Sequence, residues 1–310
     1  MARFVRFSEF GGPEVLRVIT GDPPAPGRGQ VRVRVHAAGL NPVDWKILRG
    51  GPAAGAYSVV LPSGNGNDFS GVIDELGAGV TSWAVGDAVL GGSRMFAQAD
   101  WLVVEASAVI RKPDALGFVP AGALDIAGRT ATASVRSLAL TRDDTVLVSA
   151  AAGGVGVLAA QLAVRTGATV VGTASPANHD FLRSLGVIPV VYGPGLADRV
   201  RALVPRVTAA LDNSGPATID AALELGVPGG RINTIAARGH RADAGITGVG
   251  GQAARPGDLA ALANRIASGD VVLPVDRVFP LEEVADAYRY LMGGHVRGKV
   301  VLALVVLALV

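Results

Sequence analysis

The sequence contains no cysteine, which excludes disulfides, thiolate catalysis and a structural zinc site of four thiolates. Aromatic residues are scarce, at 5%, and charged residues make up only 17%. Half of the 310 residues are hydrophobic, enough for large buried cores. The 28 basic and 26 acidic side chains leave a net charge of +2 with no basic run, so no nucleic-acid partner is expected. The N-terminus, Met1-Ala2-Arg3-Phe4-Val5-Arg6-Phe7, lacks the apolar core of a signal peptide. The long apolar run Val300–Val310 falls short of the about 20 residues that span a membrane. It reads as a final buried strand followed by extra apolar residues. A cytoplasmic protein without a membrane span is expected.

The length favours two domains, and the pattern of the chain divides accordingly. Val31-Arg32-Val33-Arg34-Val35 alternates apolar and polar residues as a half-buried strand does. Gly and Pro break its surroundings at Pro23–Gly27, Gly50-Gly51-Pro52 and Gly64-Asn65-Gly66. Short strands at this spacing predict a closed or partly closed β-barrel. From Val119 the character changes. An Ala-rich helix over 121–140 leads to a strand at Val146–Val148, a glycine turn, a helix over 157–166 and a strand at Thr169–Gly172. Helix and strand signals then alternate to about residue 267, predicting a doubly wound parallel sheet. After Gly269 the chain leaves that pattern, with a helix over 282–292 and the apolar terminal strand. The expected fold is therefore α/β, with a β-barrel domain from 1–118 and 271–310 and a parallel-sheet domain from 119–270.

The turn Ala150-Ala151-Ala152-Gly153-Gly154-Val155-Gly156 follows a strand and opens a helix inside one βαβ unit. That is the setting in which backbone N–H groups and a helix N-terminus receive a dinucleotide pyrophosphate. Ala150 stands where a first glycine would be. At the end of the second strand, NAD enzymes place an acid on the ribose 2′-hydroxyl. Here the segment reads Gly172-Thr173-Ala174-Ser175-Pro176-Ala177-Asn178-His179, with no carboxylate. Ser175, with Asn178 or His179, suits a 2′-phosphate, so NADPH is expected over NADH. An exposed helix start is the plainer reading of His179, and Arg183 is a further candidate.

Other stretches carry a resemblance. They are Ala38–Lys46, Gly66-Asn67-Asp68-Phe69-Ser70-Gly71, the turn at 150–156, Gly229-Gly230-Arg231 and Gly294–Val301. In this order they resemble the quinone oxidoreductase (zeta-crystallin-like) branch of the medium-chain dehydrogenase/reductase superfamily. The resemblance implies a GroES-like barrel, a Rossmann domain, and a nicotinamide ring in the cleft between them. Zinc-dependent relatives carry Gly-His-Glu-x-x-Gly where this chain has Gly66–Gly71. With Asn67 in place of the histidine and no cysteine, no metal is expected. The resemblance also implies that Asn41 lies near nicotinamide and substrate, unless it is only a turn residue before Pro42. Asp44 and Lys46 match polar residues that follow it. Lysine occurs only three times, so Lys46 is a candidate catalytic residue, or a partner of Asp44. Tyr57 falls where relatives have an aromatic near the substrate, with core packing as the alternative. Thr130 matches a threonine that bonds the cofactor, and Tyr192 stands one place from a tyrosine near the 2′-phosphate.

The implied site thus has Asn41, Lys46 and Tyr57 for chemistry. For NADPH it has Asn41, Thr130, Ala152, Gly153, Gly154, Val155, Gly156, Thr173, Ser175, His179 and Tyr192. Without a metal, hydride transfer rests on placement and on N–H donors aimed at developing charge. That suits a small quinone or α,β-unsaturated carbonyl. An enoyl reductase acting on a polyketide or carrier-bound intermediate is the second possibility. The third is an NADPH-binding scaffold or cyclase without redox turnover. A homodimer is expected, as for many relatives.

Overall fold

The computed structural model describes residues 1–304; Val305–Val310, and the apolar extension read there, lie outside the described residues. The chain forms two compact units, residues 1–126 with 259–270 and 274–310, and residues 127–258 with 271–273. Residues 119–126 and 259–270, assigned from sequence to the parallel-sheet domain, cluster with the first unit.

The first unit opens with β1 (Ala2–Phe7), antiparallel to β2 (Arg17–Gly21). It continues with β3 (Gln30–Gly39), α1 (Pro42–Leu48), α2 (Pro52–Ala56) and the short β4 (Ser63–Gly64), which pairs with β1. Then come β5 (Asp68–Leu76), β6 (Ala88–Gly92), β7 (Trp101–Glu105), β8 (Val109–Arg111) and α3 (Phe118–Ala121). The alternation read in β3 is physical. Val31, Val33 and Val35 are buried in the barrel core, whereas Arg32 turns outward to Asp74 (2.9 Å) and Arg34 lies over the Trp101 ring. Strand β3 is the spine of the sheet, flanked by β5 and also paired with β7. Gly71 in β5 allows that approach, since a Cβ there would lie 2.1 Å from the Arg34 carbonyl oxygen.

The expected helix over 121–140 is α4 (Asp125–Ser137), and the short α3 precedes it, ending at Ala121. Gly122 separates them because its carbonyl is held by the Gly39 N–H at 2.8 Å, which couples this chain reversal to the end of β3.

The second unit continues through β9 (Thr145–Val148), α5 (Gly154–Val164), β10 (Thr169–Thr173), α6 (His179–Ser184) and β11 (Ile188–Val190). It is completed by α7 (Leu196–Arg201), β12 (Ala209–Asp212), α8 (Pro216–Glu224) and β13 (Ile232–Thr234). The strands are parallel in the order β11-β10-β9-β12-β13. The order reverses between β9 and β12, and in such sheets ligands bind at the carboxyl ends beside that reversal. Arg231, from the Gly229-Gly230-Arg231 stretch, is structural: its guanidinium bonds Asp144 (2.6 Å) and the carbonyls of Leu138 and Thr208. The described residues continue with α9 (Asp258–Ala267), β14 (Val275–Pro280), α10 (Val284–Met292) and β15 (Lys299–Ala303). β15 joins β3 antiparallel in the first unit's sheet.

Two glycine substitutions test this packing. Gly71→Ala forces a methyl group onto backbone and should cost about 1–3 kcal/mol. Gly55→Ala, in α2 with nothing within 4 Å of the added Cβ, should gain about 0.5–1 kcal/mol. Thermal melts check both, and a Gly71→Ala protein melting with wild type would refute the close approach.

Candidate active site

In the first unit the polar candidates converge on one buried carboxylate. Asn41 caps the start of α1, and Pro42 begins the helix where a missing N–H costs nothing. One turn of helix then brings Asp44 back beneath the cap. The Asn41 backbone N–H donates to Asp44 Oδ2 at 2.8 Å, and Asn67 Nδ2 donates to Asp44 Oδ1 at 2.5 Å. The Tyr288 hydroxyl, from α10, donates to Oδ2 at 3.2 Å. That hydroxyl in turn accepts from Asn65 Nδ2 (2.9 Å) and Gln98 Nε2 (2.8 Å), and Asn65 Nδ2 also donates to Gln98 Oε1 at 2.8 Å. Asp44 and Tyr288 are both 0% exposed. Burial pushes the Asp44 carboxyl up to about 7, against the opposing effect of the Asn67 amide. Burial, reinforced by the Asp44 charge, also holds the Tyr288 phenol well above its ordinary range.

Beside this hub, Lys299 Nζ donates to Asn41 Oδ1 and lies 3.5 Å from Asp68 Oδ2. Asp68 Oδ1 accepts the Ile126 N–H at 3.0 Å. Two side-chain atoms of the cluster, Asn41 Nδ2 and Asn65 Oδ1, are buried without a partner among the described residues. A buried amide left unmatched is costly, so each of these atoms calls for a partner.

Tyr57 sits at the end of α2, partly buried against the barrel core, with the Arg94 guanidinium 4.6 Å from its ring centroid. Burial, then the nearby Asp44 charge, raises its phenol, so it stays protonated at neutral pH. Lys46 is placed differently from the expectation. It lies on the exposed face of α1, its ammonium 5.8 Å from the Trp45 ring centroid, and makes no pair with Asp44. Positions 44 and 46 are about 200° apart on a helix of 3.6 residues per turn, so both cannot face the core. The scarcity of lysine does point inward, but to the buried Lys299 and Lys112. Tyr288, Asn65, Gln98 and Lys299 were not singled out from sequence, because each joins the cluster through long-range packing.

In the second unit the turn at 150–156 has the expected form. Gly153 caps α5, and Val157 N–H returns to the Gly153 carbonyl at 2.8 Å. The first-turn N–H groups of Gly154, Val155 and Gly156 lie ahead of the helix's own ladder and point beyond its N-terminus. A Cβ on Gly156 would stand 2.0 Å from the Ala150 carbonyl oxygen, so only glycine permits the turn to close. Ala150 itself adopts a left-handed φ of 48°, the conformation the missing glycine would take without strain. Thr173 is buried and shapes the turn, its hydroxyl accepting the Ala150 N–H at 3.1 Å and its carbonyl the Ala151 N–H at 2.9 Å.

Ser175 follows β10, with Asn178 Nδ2 3.3 Å from its hydroxyl. His179 begins α6, its Nε2 3.4 Å from the Ala174 carbonyl. Arg183 is paired with Asp180 at 2.6 Å. Tyr192 is 49% exposed on the loop after β11. Arg199 braces that loop through the carbonyls of Val191, Gly193 and Pro194 at 2.8–3.0 Å. Thr130, on α4, is buried against Gly251, and Ala152 lies within the turn at 5% exposure.

Family models match the chain as an alcohol dehydrogenase GroES-like domain over residues 27–124 and as a zinc-binding dehydrogenase over residues 185–302. The quinone oxidoreductase of Pseudomonas aeruginosa is 31% identical over 332 residues, covering 97% of this chain and 99% of that protein. The chloroplastic NADPH-dependent alkenal/one oxidoreductase of Arabidopsis thaliana is 32% identical over 311 residues, covering 95% of this chain and 78% of that protein. The fold superposes on the quinone oxidoreductase of Coxiella burnetii with a TM-score of 0.89 at 31% identity, over 98% and 99% of the two chains. The chain belongs to the medium-chain dehydrogenase/reductase superfamily, in its quinone oxidoreductase branch, with a GroES-like and a Rossmann-type domain. It is an oxidoreductase that uses a nicotinamide cofactor.

The second family's description names zinc; in this chain Asn41 Oδ1 accepts from Lys299 and Asn67 Nδ2 donates to Asp44, and among the described residues no three His, Cys, Asp or Glu side chains cluster as metal ligands. No helix among the described residues is long and apolar enough to cross a membrane.

The raised Asp44 carboxyl makes stability depend on pH. The folded protein keeps a proton that the unfolded chain, with a carboxyl pKa of about 3.9, releases between about pH 4 and 7. The Asp44 contribution to stability is therefore greatest in acid and falls as pH rises through that window, levelling off above it. Asp44→Asn removes this fall, so its melting temperature should gain on wild type from pH 4.5 to 7.5. Parallel curves for the two proteins would refute the buried, raised carboxyl.

Proposed function

We propose that this chain is an NADPH-dependent, zinc-independent reductase that transfers hydride to a quinone or an α,β-unsaturated carbonyl. The observation that carries the proposal is the combination of a buried, unpartnered amide N–H at Asn41 with a donor set unsuited to a metal. The names of the two relatives point the same way, since one acts on quinones and the other on alkenals and alkenones with NADPH.

The first-turn N–H groups of Gly154, Val155 and Gly156 receive the pyrophosphate, and Ser175, with Asn178 and His179, receives the 2′-phosphate. An acid at Ser175 would repel that phosphate; the hydroxyl accommodates it. Thr130 and Tyr192 are further cofactor contacts in this reading. When bound, NADPH supplies the hydride. Reduction of an enone at its β-carbon would place negative charge on the carbonyl oxygen. Asn41 donates an N–H to the oxygen as it gains negative charge. The α-carbon then takes a proton from water or from the neutral Tyr57 phenol, giving the saturated carbonyl. Lys46, exposed on α1, has no part in these steps. A homodimer belongs to the same reading, to be seen by sedimentation at twice the chain mass.

Stopped-flow absorbance of the reduced nicotinamide, on mixing with quinones, enones and an enoyl thioester, tests the reaction. Rapid NADPH loss with at least one acceptor is expected; binding without oxidation by any of them would refute it and favour a non-redox role. Ser175→Asp tests cofactor choice. It should lower kcat/KM for NADPH relative to NADH by on the order of 100-fold, through repulsion of the 2′-phosphate. An unchanged ratio would place the 2′-phosphate elsewhere.

A further inference from the structure

Lys299 is 4% exposed, the first residue of β15, and its ammonium is committed to two atoms, Asn41 Oδ1 and, at 3.5 Å, Asp68 Oδ2. An ammonium has three donors and no acceptor, so the Asn41 atom that faces it must be the carboxamide oxygen. Chemistry thereby decides an orientation that an asparagine alone leaves open. With the oxygen held by Lys299 and the backbone N–H held by Asp44, the Asn41 NH2 is the atom that Lys299 turns away from itself. It is buried and unpartnered among the described residues.

A buried ion pair such as Lys299–Asp68 is weak evidence for stability, because desolvating both charges opposes their attraction. Its worth here lies in what the cation does to its neighbour. A positive charge on the amide oxygen draws electron density from nitrogen and makes the N–H a stronger donor.

We infer that Lys299 is a positioning residue that orients and polarises the Asn41 carboxamide, so that its NH2 is presented as a fixed donor to the carbonyl oxygen of the substrate. This rests on the proposed reductase function and deepens it. Lys299 does not touch the substrate; it acts through Asn41. Asp68, anchored by the Ile126 N–H, balances the charge and keeps the ammonium from swinging out.

A double-mutant cycle tests the inference, with NADPH and trans-2-hexenal or 1,4-benzoquinone as acceptor. Lys299→Met should lower kcat by about 100-fold, the lower end of the range for loss of an oxyanion donor, while leaving the KM for NADPH within about twofold. Asn41→Ala should lose a similar factor, and the double variant no more than Asn41→Ala alone. Lys299→Arg should recover most of the activity. Losses that multiply in the double variant, or a wild-type kcat in Lys299→Met, would overturn the inference. If Lys299→Met does not fold, Lys299→Gln keeps an N–H donor without the charge. It should lose at least about threefold in kcat, and wild-type kcat there would also overturn it.

A second readout is independent of turnover. The Asn41 side-chain NH2 resonances, assigned by their loss in Asn41→Ala, should be sharp in ligand-free wild type and Lys299→Arg. They should move upfield or split in Lys299→Met; unchanged resonances would overturn the inference whatever the acceptors do. A wild-type protein that fails to oxidise NADPH with any of the acceptors, yet shows this Lys299 dependence of the resonances, would refute the proposed function and leave the positioning role standing.

Discussion

The first unit's chemistry depends on one constraint: the carboxylate of Asp44 has no access to water. A lone carboxylate in such a place would be intolerable, so the surrounding sequence supplies donors from widely separated segments. The Asn41 N–H comes from the start of the same helix, the Asn67 amide from the turn before β5, and the Tyr288 hydroxyl from α10 near the chain's end. Satisfying one oxygen pair thereby pins the α1 N-terminus, the 65–68 turn and α10 together. The Asn41 carboxamide inherits its placement from that arrangement, and Lys299 adds its orientation.

The second unit solves a simpler problem by backbone alone. Its parallel strands bury both faces, as the runs Thr145–Val148 and Ala209–Asp212 show, and at the 150–156 turn it presents the N–H donors of a helix start. Side chains there mostly serve the turn. Thr173 closes it from below, Gly156 leaves room for the Ala150 carbonyl, and Arg199 holds the loop that carries Tyr192. Such a site depends on local sequence, which is why it is readable from local sequence.

That difference explains what could be read before the structure. The glycine turn, the helix behind it and the alternating strands follow from short-range periodicity and the special conformations of glycine, and they stand where expected. The start of the expected helix over 121–140 at Asp125 rather than at 121 was not legible, since the Gly39 N–H reaches the Gly122 carbonyl across the fold just before it. Asn41 and Asp44 were reached through the resemblance of the stretch 38–46, and the helix start that places them three residues apart appears only in the structure. Tyr288 was not legible, because within α10 it reads as one more aromatic on an apolar face; only the approach of Asp44, 244 residues away in sequence, gives it a polar role. Lys46 shows the limit of composition. Rarity suggested importance, but rarity carries no direction, and a two-residue step around α1 turned its charge to solvent while Lys299 went inside.

In the proposed metal-free reading, an amide in place of a metal also bears on which substrates would suit the site. A bound divalent metal can polarise an unactivated carbonyl as a Lewis acid, lowering the barrier by several kcal/mol. A single well-placed N–H donor is worth about 2.7–4 kcal/mol at the transition state, and polarisation by a neighbouring ammonium increases that without reaching a direct metal–oxygen bond. Such a site works best on an acceptor that already spreads the incoming charge over conjugated atoms. Quinones and α,β-unsaturated carbonyls do this intrinsically, whereas simple ketones and aldehydes do not. In the proposed reading, the weakness of an amide as an electrophile is itself an argument for conjugated acceptors, and the orientation of one buried carboxamide would matter for that reason.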